Sequence, residues 1–174
     1  PAPLKDAAAA LRWVSVYNIN LGVGREQVSD KHWIYFPEVE YPFYRAGFPM
    51  NFSPSLGRPG CSSMYVEMSH KPTEHQSAEQ LIGRARTGLE QAGILRPDDE
   101  LVVSDVKDLH YAYVYFDHHR AQAMPAILAE LERRGIYSVG RYGRWEHTSM
   151  EDAIGQGKQV AERLKAQYAH QASA

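Results

Sequence analysis

The chain has 174 residues and a mass of 19.7 kDa, the length of one domain, able to bury about 70% of the surface it exposes when unfolded. Its 44% apolar and 23% charged residues, with a mean hydropathy of −0.48, match a globular protein and exclude a disordered chain or a set of membrane spans. Nineteen basic residues against 21 acidic ones leave a formal net charge of −2 with no run of like charge, so the electrostatic footprint of a nucleic-acid or anionic-membrane binder is missing.

Cys61 is the only cysteine. An internal disulfide and a four-thiolate metal site are therefore excluded, and a reducing, cytoplasmic compartment is expected. No run of about 18 apolar residues marks a membrane span, and residues 1–6 lack the basic-then-apolar layout of a signal peptide. The chain begins at Pro1 without Met, which implies processing or a piece of a longer protein. Tyrosine outnumbers phenylalanine 11 to 5, and Trp33, Tyr35, Phe36, Tyr41, Phe43, Tyr44 and Phe48 cluster in one segment. A ring with a hydroxyl at its tip suits a half-wet binding wall; a Tyr-rich sheet packed under loops accounts for it equally.

In chain order, residues 12–21 alternate as a strand that Gly22 and Gly24 end. Residues 32–36 and 43–48 read as short strands, which Pro37, Pro42 and Pro49 confine to edges or sheet ends. Residues 51–60 form a loop, and residues 61–68 alternate Met64, Val66 and Met68 against Ser63, Tyr65 and Glu67 as a strand with one buried face. Ser77 and Gln80 form a capping box before a helix that carries Leu81, Ala85 and Leu89 and stops at Gly93. Strands are expected over 101–106 and 111–116. Asp117 is placed to cap a second helix with a Met124, Ile127, Leu128 and Leu131 stripe, in which Pro125 implies a kink or a late start. Residues 136–139 read as a strand leading into Gly140, and Thr148 with Glu151 reads as a capping box for the last helix. The tail 167–174 is expected to fray. The order lacks the strict alternation of a doubly wound sheet. The expected fold is α+β, a mixed, largely antiparallel sheet covered by about three helices, in a single domain over 1–174.

Most candidate constellations are weak. Gly22-Val23-Gly24 lacks the third glycine of a dinucleotide fingerprint, because position 27 is Gln, and a hairpin turn explains it. His118 and His119 are neighbours that would point about 100° apart on a helix, and His70 and His75 have no carboxylate pair beside them, so no metal site is expected. No Gly-x-Ser-x-Gly elbow supports a nucleophilic serine, and no catalytic residue is assigned. Residues 140–152 differ in kind. They run from a strand end to a capped helix through Gly140, Arg141, Gly143, Arg144 and Trp145. A helix start presents unpaired N–H groups and partial positive charge, the glycines let backbone approach a flat ligand, and the arginines suit a diphosphate. Gly155 and Gly157, each costing about 1 kcal/mol in a helix interior, suggest close packing against another backbone. An ordinary strand-to-helix loop with surface arginines is the alternative.

Gly140-Arg141-Tyr142-Gly143-Arg144-Trp145 followed by Ser149-Met150-Glu151-Asp152 resembles the C-terminal flavin-contacting segment of the FAD-dependent amine oxidase and protoporphyrinogen oxidase group, and is especially similar to members related to UDP-galactopyranose mutase. Residues 20–23, 29–37 and 43–49 resemble the sheet of that family's substrate domain, and residues 111–117 the strand before its last flavin segment. The resemblance covers most of 11–164. It implies a substrate domain without its Rossmann half, with residues 136–165 as the flavin-contacting segment and Gly140, Arg141, Gly143, Trp145, Ser149, Met150 and Glu151 as cofactor-binding residues. Trp33, Tyr35, Tyr44, Arg45, Tyr113 and Tyr115 are the implied substrate-binding residues. The implied cofactor is FAD, held by the complete enzyme and not retained by this part alone. The implied partners are an N-terminal FAD-binding domain and a small-molecule substrate such as a nucleotide sugar, with self-association through the face that domain would cover. Flavin oxidoreduction is the implied activity, with isomerisation of a nucleotide sugar as a variant. The rival is a non-enzymatic binding module of the same fold.

Overall fold

Alternation of apolar and polar side chains dictates the sheet. In the computed structural model, which describes residues 2–172, β1 (Trp13–Val23), β2 (Trp33–Tyr35), β3 (Arg45–Gly47), β4 (Ser62–His70) and β5 (Leu101–Val114) form an open antiparallel sheet in the order β2-β3-β4-β1-β5. The helices are α1 (Ala2–Ala9), α2 (Ala78–Gln91), α3 (His118–Arg133), α4 (Gly140–Gly143) and α5 (Met150–Ala172). The chain divides into two compact units, one of Val14–Ala112 and the other of Pro1–Trp13 with Tyr113–Ala174.

In the first unit, β1 and β4 pair so that Ile19 faces Val66 and Leu21 faces Met64. These four side chains are buried, with Ala46 of β3, beneath Leu81, Ala85 and Leu89 of α2. The α2 stripe follows helical spacing. The helix begins where expected, because the Ser77 hydroxyl accepts the Gln80 amide and the Gln80 side chain accepts the Ser77 amide. Gly88 is needed on this helix: a Cβ there would lie 2.7 Å from Pro42 Cδ and 2.8 Å from Phe43 Cε1. Arg25 braces the end of the unit through a two-pronged pair with Asp99, both bonds at 2.7 Å. That pair, with desolvation opposing it, holds the Asp99 carboxyl down at about 2.

The strands depart from expectation most at two places, while β3 is shorter than the expected 43–48 and β4 runs on to His70. β1 continues through Gly22, which pairs with Ser63, to Val23. The two strands expected over 101–106 and 111–116 are one strand, Leu101–Val114. Asp105, Lys107 and Asp108 lie within it, since an edge strand carries charge readily because its side chains reach water.

In the second unit, Asp117 caps α3 by accepting the Arg120 amide at 2.8 Å, and it also takes Arg12 Nε at 2.9 Å. The helix starts at His118, so Pro125 lies inside it and no late start occurs. The expected strand over 136–139 is not formed. Gly135 adopts φ +77° and the Ile136 amide donates back to Leu131 O at 2.9 Å; that N–H closes the end of α3 instead of joining a ladder. The cap of α5 is Ser149 with Asp152, not Thr148 with Glu151: the Ser149 hydroxyl accepts the Asp152 amide while Asp152 accepts the Ser149 amide. α1 was not foreseen, and α5 runs on to Ala172 through most of the tail read as frayed; residues 173 and 174 lie outside the described ones. A Cβ at Gly155 or Gly157 would meet nothing within 4 Å, so no neighbouring backbone among the described residues explains either glycine.

Candidate functional site

The face of the sheet turned away from α2 is built by register. Trp33 pairs with Gly47, Gly47 with Tyr65, and Tyr65 with Asn20; one step along, Tyr35 pairs with Arg45, Arg45 with Glu67, and Glu67 with Asn18. Ile34, Ala46, Val66 and Ile19 form the row between these two, and three of them are completely buried on the α2 side. Side chains alternate along a strand, so the two flanking rows emerge together on the opposite face.

Arg45 sits at the centre of this face. One guanidinium nitrogen donates to Glu67 Oε1 and another to the Tyr35 hydroxyl at 3.2 Å, while the Tyr44 hydroxyl donates to Glu67 Oε2. The Glu67 side chain is 9% exposed and that of Arg45 23%, so a nearly buried carboxylate fixes a cation whose edge still reaches solvent. The guanidinium lies 5.8 Å from the Tyr35 ring centre and 6.0 Å from that of Tyr65, close enough for cation–π attraction. Tyr65 lies against Gly47 so closely that a Cβ there would come 2.2 Å from its Cζ. Trp33 stacks on Phe52 at 5.5 Å, and both are more than half exposed. The result is a shelf of ring faces around one fixed positive charge.

The second unit carries the other candidates. Gly140 has φ +78° and its amide donates to Gln156 Oε1 at 2.7 Å. Gly143 passes so near Ser138 that a Cβ would lie 2.8 Å from its Oγ. Arg141 donates Nε and Nη2 to the Thr148 carbonyl at 3.2 and 2.9 Å and lies over the Tyr113 ring at 5.6 Å. Arg144 pairs with Glu146 at 3.2 Å. Trp145, at φ +52°, packs edge-on against Trp13 and gives its carbonyl to Arg120 Nε at 2.7 Å. This network delivers the start of α5 with Ser149, Met150 and Glu151 exposed, Met150 at 85%. No acceptor among the described residues meets the Met150 or Glu151 amide, as befits the first turn of a helix. Tyr113 belongs with this loop, and Tyr115 lies beneath Arg12 at 5.1 Å.

Of the expected substrate residues, Trp33, Tyr35, Tyr44 and Arg45 are thus gathered with one another, whereas Tyr113 and Tyr115 belong to the other unit. Glu67, Tyr65, Asn18 and Asn20 were not foreseen. The 64–68 alternation placed Glu67 and Tyr65 on the polar face, but only the β3–β4 register reveals that they meet Arg45 and Gly47. A groove of about 960 Å³ beside α2 contains none of the implied substrate or cofactor residues, and a cleft of about 420 Å³ beside α5 contains, of the residues read as suiting a diphosphate, Arg144 alone. No group of His, Cys, Asp or Glu among the described residues is arranged to hold a metal, and no described helix is long and apolar enough to cross a membrane.

The crystal structure of reduced UDP-galactopyranose mutase superposes on 80% of this chain with a TM-score of 0.73 and 29% sequence identity. A protein from Exiguobacterium sp. 255-15, provisionally assigned as a protoporphyrinogen oxidase, superposes on 91% with a TM-score of 0.70 and 14% identity. The chain has an amine oxidase-like flavoenzyme fold. It spans 30% of the mutase chain and 36% of the Exiguobacterium chain, about a third of each. No protein-family model matches the sequence. The α+β class and the antiparallel sheet are as the residues led one to expect, with five helices among the described residues in place of about three.

Proposed function

We propose that this chain is the substrate-facing and C-terminal portion of an FAD-dependent enzyme acting on a nucleotide sugar, completed by a separate FAD-binding portion. The observation that carries this reading is Arg45, fixed by the nearly buried Glu67 and flanked by the rings of Tyr35 and Tyr65. A guanidinium held in one orientation offers planar donors to a diphosphate, and the ring faces of Trp33, Tyr35 and Tyr65 suit a base or a sugar. The likeness to UDP-galactopyranose mutase, at 29% identity, supports the same substrate class over an apolar amine or a porphyrinogen. Asn18 and Asn20 add amide groups on the same face, suited to hydroxyl-rich ligands.

FAD fits the start of α5. Met150 and Glu151 present amides without acceptors among the described residues, and the buried Thr148 Oγ1 beside them has no hydrogen-bond partner. The helix end would favour an electron-rich ring edge, a contribution of about 0.3–1 kcal/mol when exposed and more when covered. Gly140 and Arg141 serve this end indirectly: Gln156 takes the Gly140 amide and Arg141 grips the Thr148 carbonyl, so they shape the loop that aims the helix. When bound, the flavin supplies the electron-transfer chemistry; the chain contributes orientation, a fixed cation and helix-end electrostatics.

Titrating the chain with UDP and UDP-galactose while following tryptophan fluorescence tests the substrate assignment. Trp33 stands on the shelf, so saturable quenching is expected, with the dissociation constant raised about tenfold or more in Arg45→Ala. Quenching that never saturates, or is unchanged in the variant, would refute the role given to Arg45.

A further inference from the structure

β5 is the last strand of the sheet, so one edge of a 14-residue strand is bonded to no further strand among the described residues. Such an edge is a template for pairing, and proteins usually guard it with charge, proline or brevity. β5 has no proline and is long, and Val103 and Leu109 are 61% and 46% exposed. Its guard is an unusual one. Asp105 and Lys107 flank Val106 and form an ion pair at 2.9 Å along the strand, while Val106 turns toward the core. Opposite charges placed symmetrically about one residue repel most foreign strands but complement their own copy.

We infer that β5 pairs antiparallel with β5 of a second copy of this chain, with Val106 on the two-fold axis. In that register Asp105 of each copy faces Lys107 of the other, Val103 faces Leu109, and Ser104 faces Asp108. The charges form a closed ring of alternating sign, and the apolar pairs lie outside it on the same face. Cross-strand pairs of these kinds stabilise neighbouring strands, and like charges directly opposite destabilise them. A slip of one residue would set every side chain against the wrong face, so the register is specified by the sequence itself. Asp108 is held within its own subunit by His70 Nε2 at 3.1 Å and does not disturb the ring. A dimer built this way is isologous, as a two-fold axis requires, and continues the sheet across the axis.

Sedimentation equilibrium over the micromolar to submillimolar range tests this with charge reversals. The wild-type chain is expected to dimerise. Asp105→Lys alone and Lys107→Asp alone should each raise the dimer dissociation constant about tenfold or more, and the double variant Asp105→Lys with Lys107→Asp should return it close to the wild-type value. Hydrogen exchange supplies the second readout, since the outward amides over 103–109 should gain protection as protein concentration rises. A chain that stays monomeric throughout, a double variant as weak as the singles, or a dimer without concentration-dependent protection over 103–109 would each overturn the inference.

Discussion

Glu67 stands directly across the β3–β4 ladder from Arg45, and its two carboxylate oxygens are divided between the Arg45 guanidinium and the Tyr44 hydroxyl. The arrangement draws a charged pair into a mostly dry sheet face, where desolvation is offset only while both partners remain. Breaking a buried pair from one side costs about 3–5 kcal/mol, whereas removing both partners together costs far less. Because Arg45 keeps its edge in water, the cost of Glu67→Ala is expected to fall just below that range, at about 2–3 kcal/mol by denaturant unfolding. The double change Arg45→Met with Glu67→Leu should recover most of the loss. If the two single changes simply add in the double, Arg45 and Glu67 do not act as a pair.

Arg25 and Asp99 form the other inward pair, and here pH reports on it. The folded Asp99 carboxyl is lowered to about 2, first by its bond from Arg25 and also by the Arg96 amide, against an unfolded value of about 3.9. A lowered carboxylate contributes stability above its unfolded value and loses it as pH falls through its folded one. The contribution, about 2 kcal/mol, should therefore be complete above pH 5 or so and decline between about 4 and 2. Comparing wild type with Asp99→Asn in urea at a series of pH values checks the sign: the gap should close on acidification. A gap that stays constant down to the acid limit would show that Asp99 is not the titrating group.

Where this fold was legible in the residues, the signals were local. Ser77 with Gln80, and Asp117 before α3, each lie within one turn of the helix they start, so their types and spacing were enough. The face around Arg45 depends instead on which strands become neighbours, and nothing near Glu67 in the chain announces that Arg45 will lie opposite. Residues 136–139 illustrate a competition: their composition suits a strand, but the turn at Gly135 directs the Ile136 amide back to α3 first. β5 is one strand where two are expected, because Asp105, Lys107 and Asp108 are carried without cost at a sheet edge, where their side chains reach water.

Two glycines on α2 separate backbone propensity from packing. Gly83 has nothing within 4 Å of a built Cβ, whereas the same atom at Gly88 would press on Pro42 and Phe43. Gly83→Ala should thus stabilise by roughly 0.5–1 kcal/mol through helix propensity alone. Gly88→Ala should destabilise by about 1–3 kcal/mol because the 42–43 segment must move. Thermal unfolding of the two variants should shift in opposite directions. Shifts of the same sign would mean that the segment yields freely or that Gly83 is crowded after all.

The α5 cap offers a sharper test, because two overlapping Ser/Thr-x-x-Asp/Glu patterns compete for one helix start. The Thr148–Glu151 and Ser149–Asp152 pairs have the same spacing, and local chemistry cannot choose between them. Arg141 decides the matter by holding the Thr148 carbonyl with Nε and Nη2. This leaves the Thr148 hydroxyl buried without a partner, while the Ser149 hydroxyl closes on the Asp152 amide at 3.1 Å. The Asp152 carboxyl is lowered in turn by the Ser149 amide and hydroxyl it accepts. Replacing a working cap costs about 1 kcal/mol, whereas replacing an unpartnered buried hydroxyl by a methyl of similar shape is neutral or favourable. Ser149→Ala should therefore speed hydrogen exchange of the amides over 152–155 and lower stability, while Thr148→Val should leave both unchanged or improved. If Thr148→Val instead frays the helix, the cap lies one residue earlier, and the exposed amides assigned to Met150 and Glu151 shift with it.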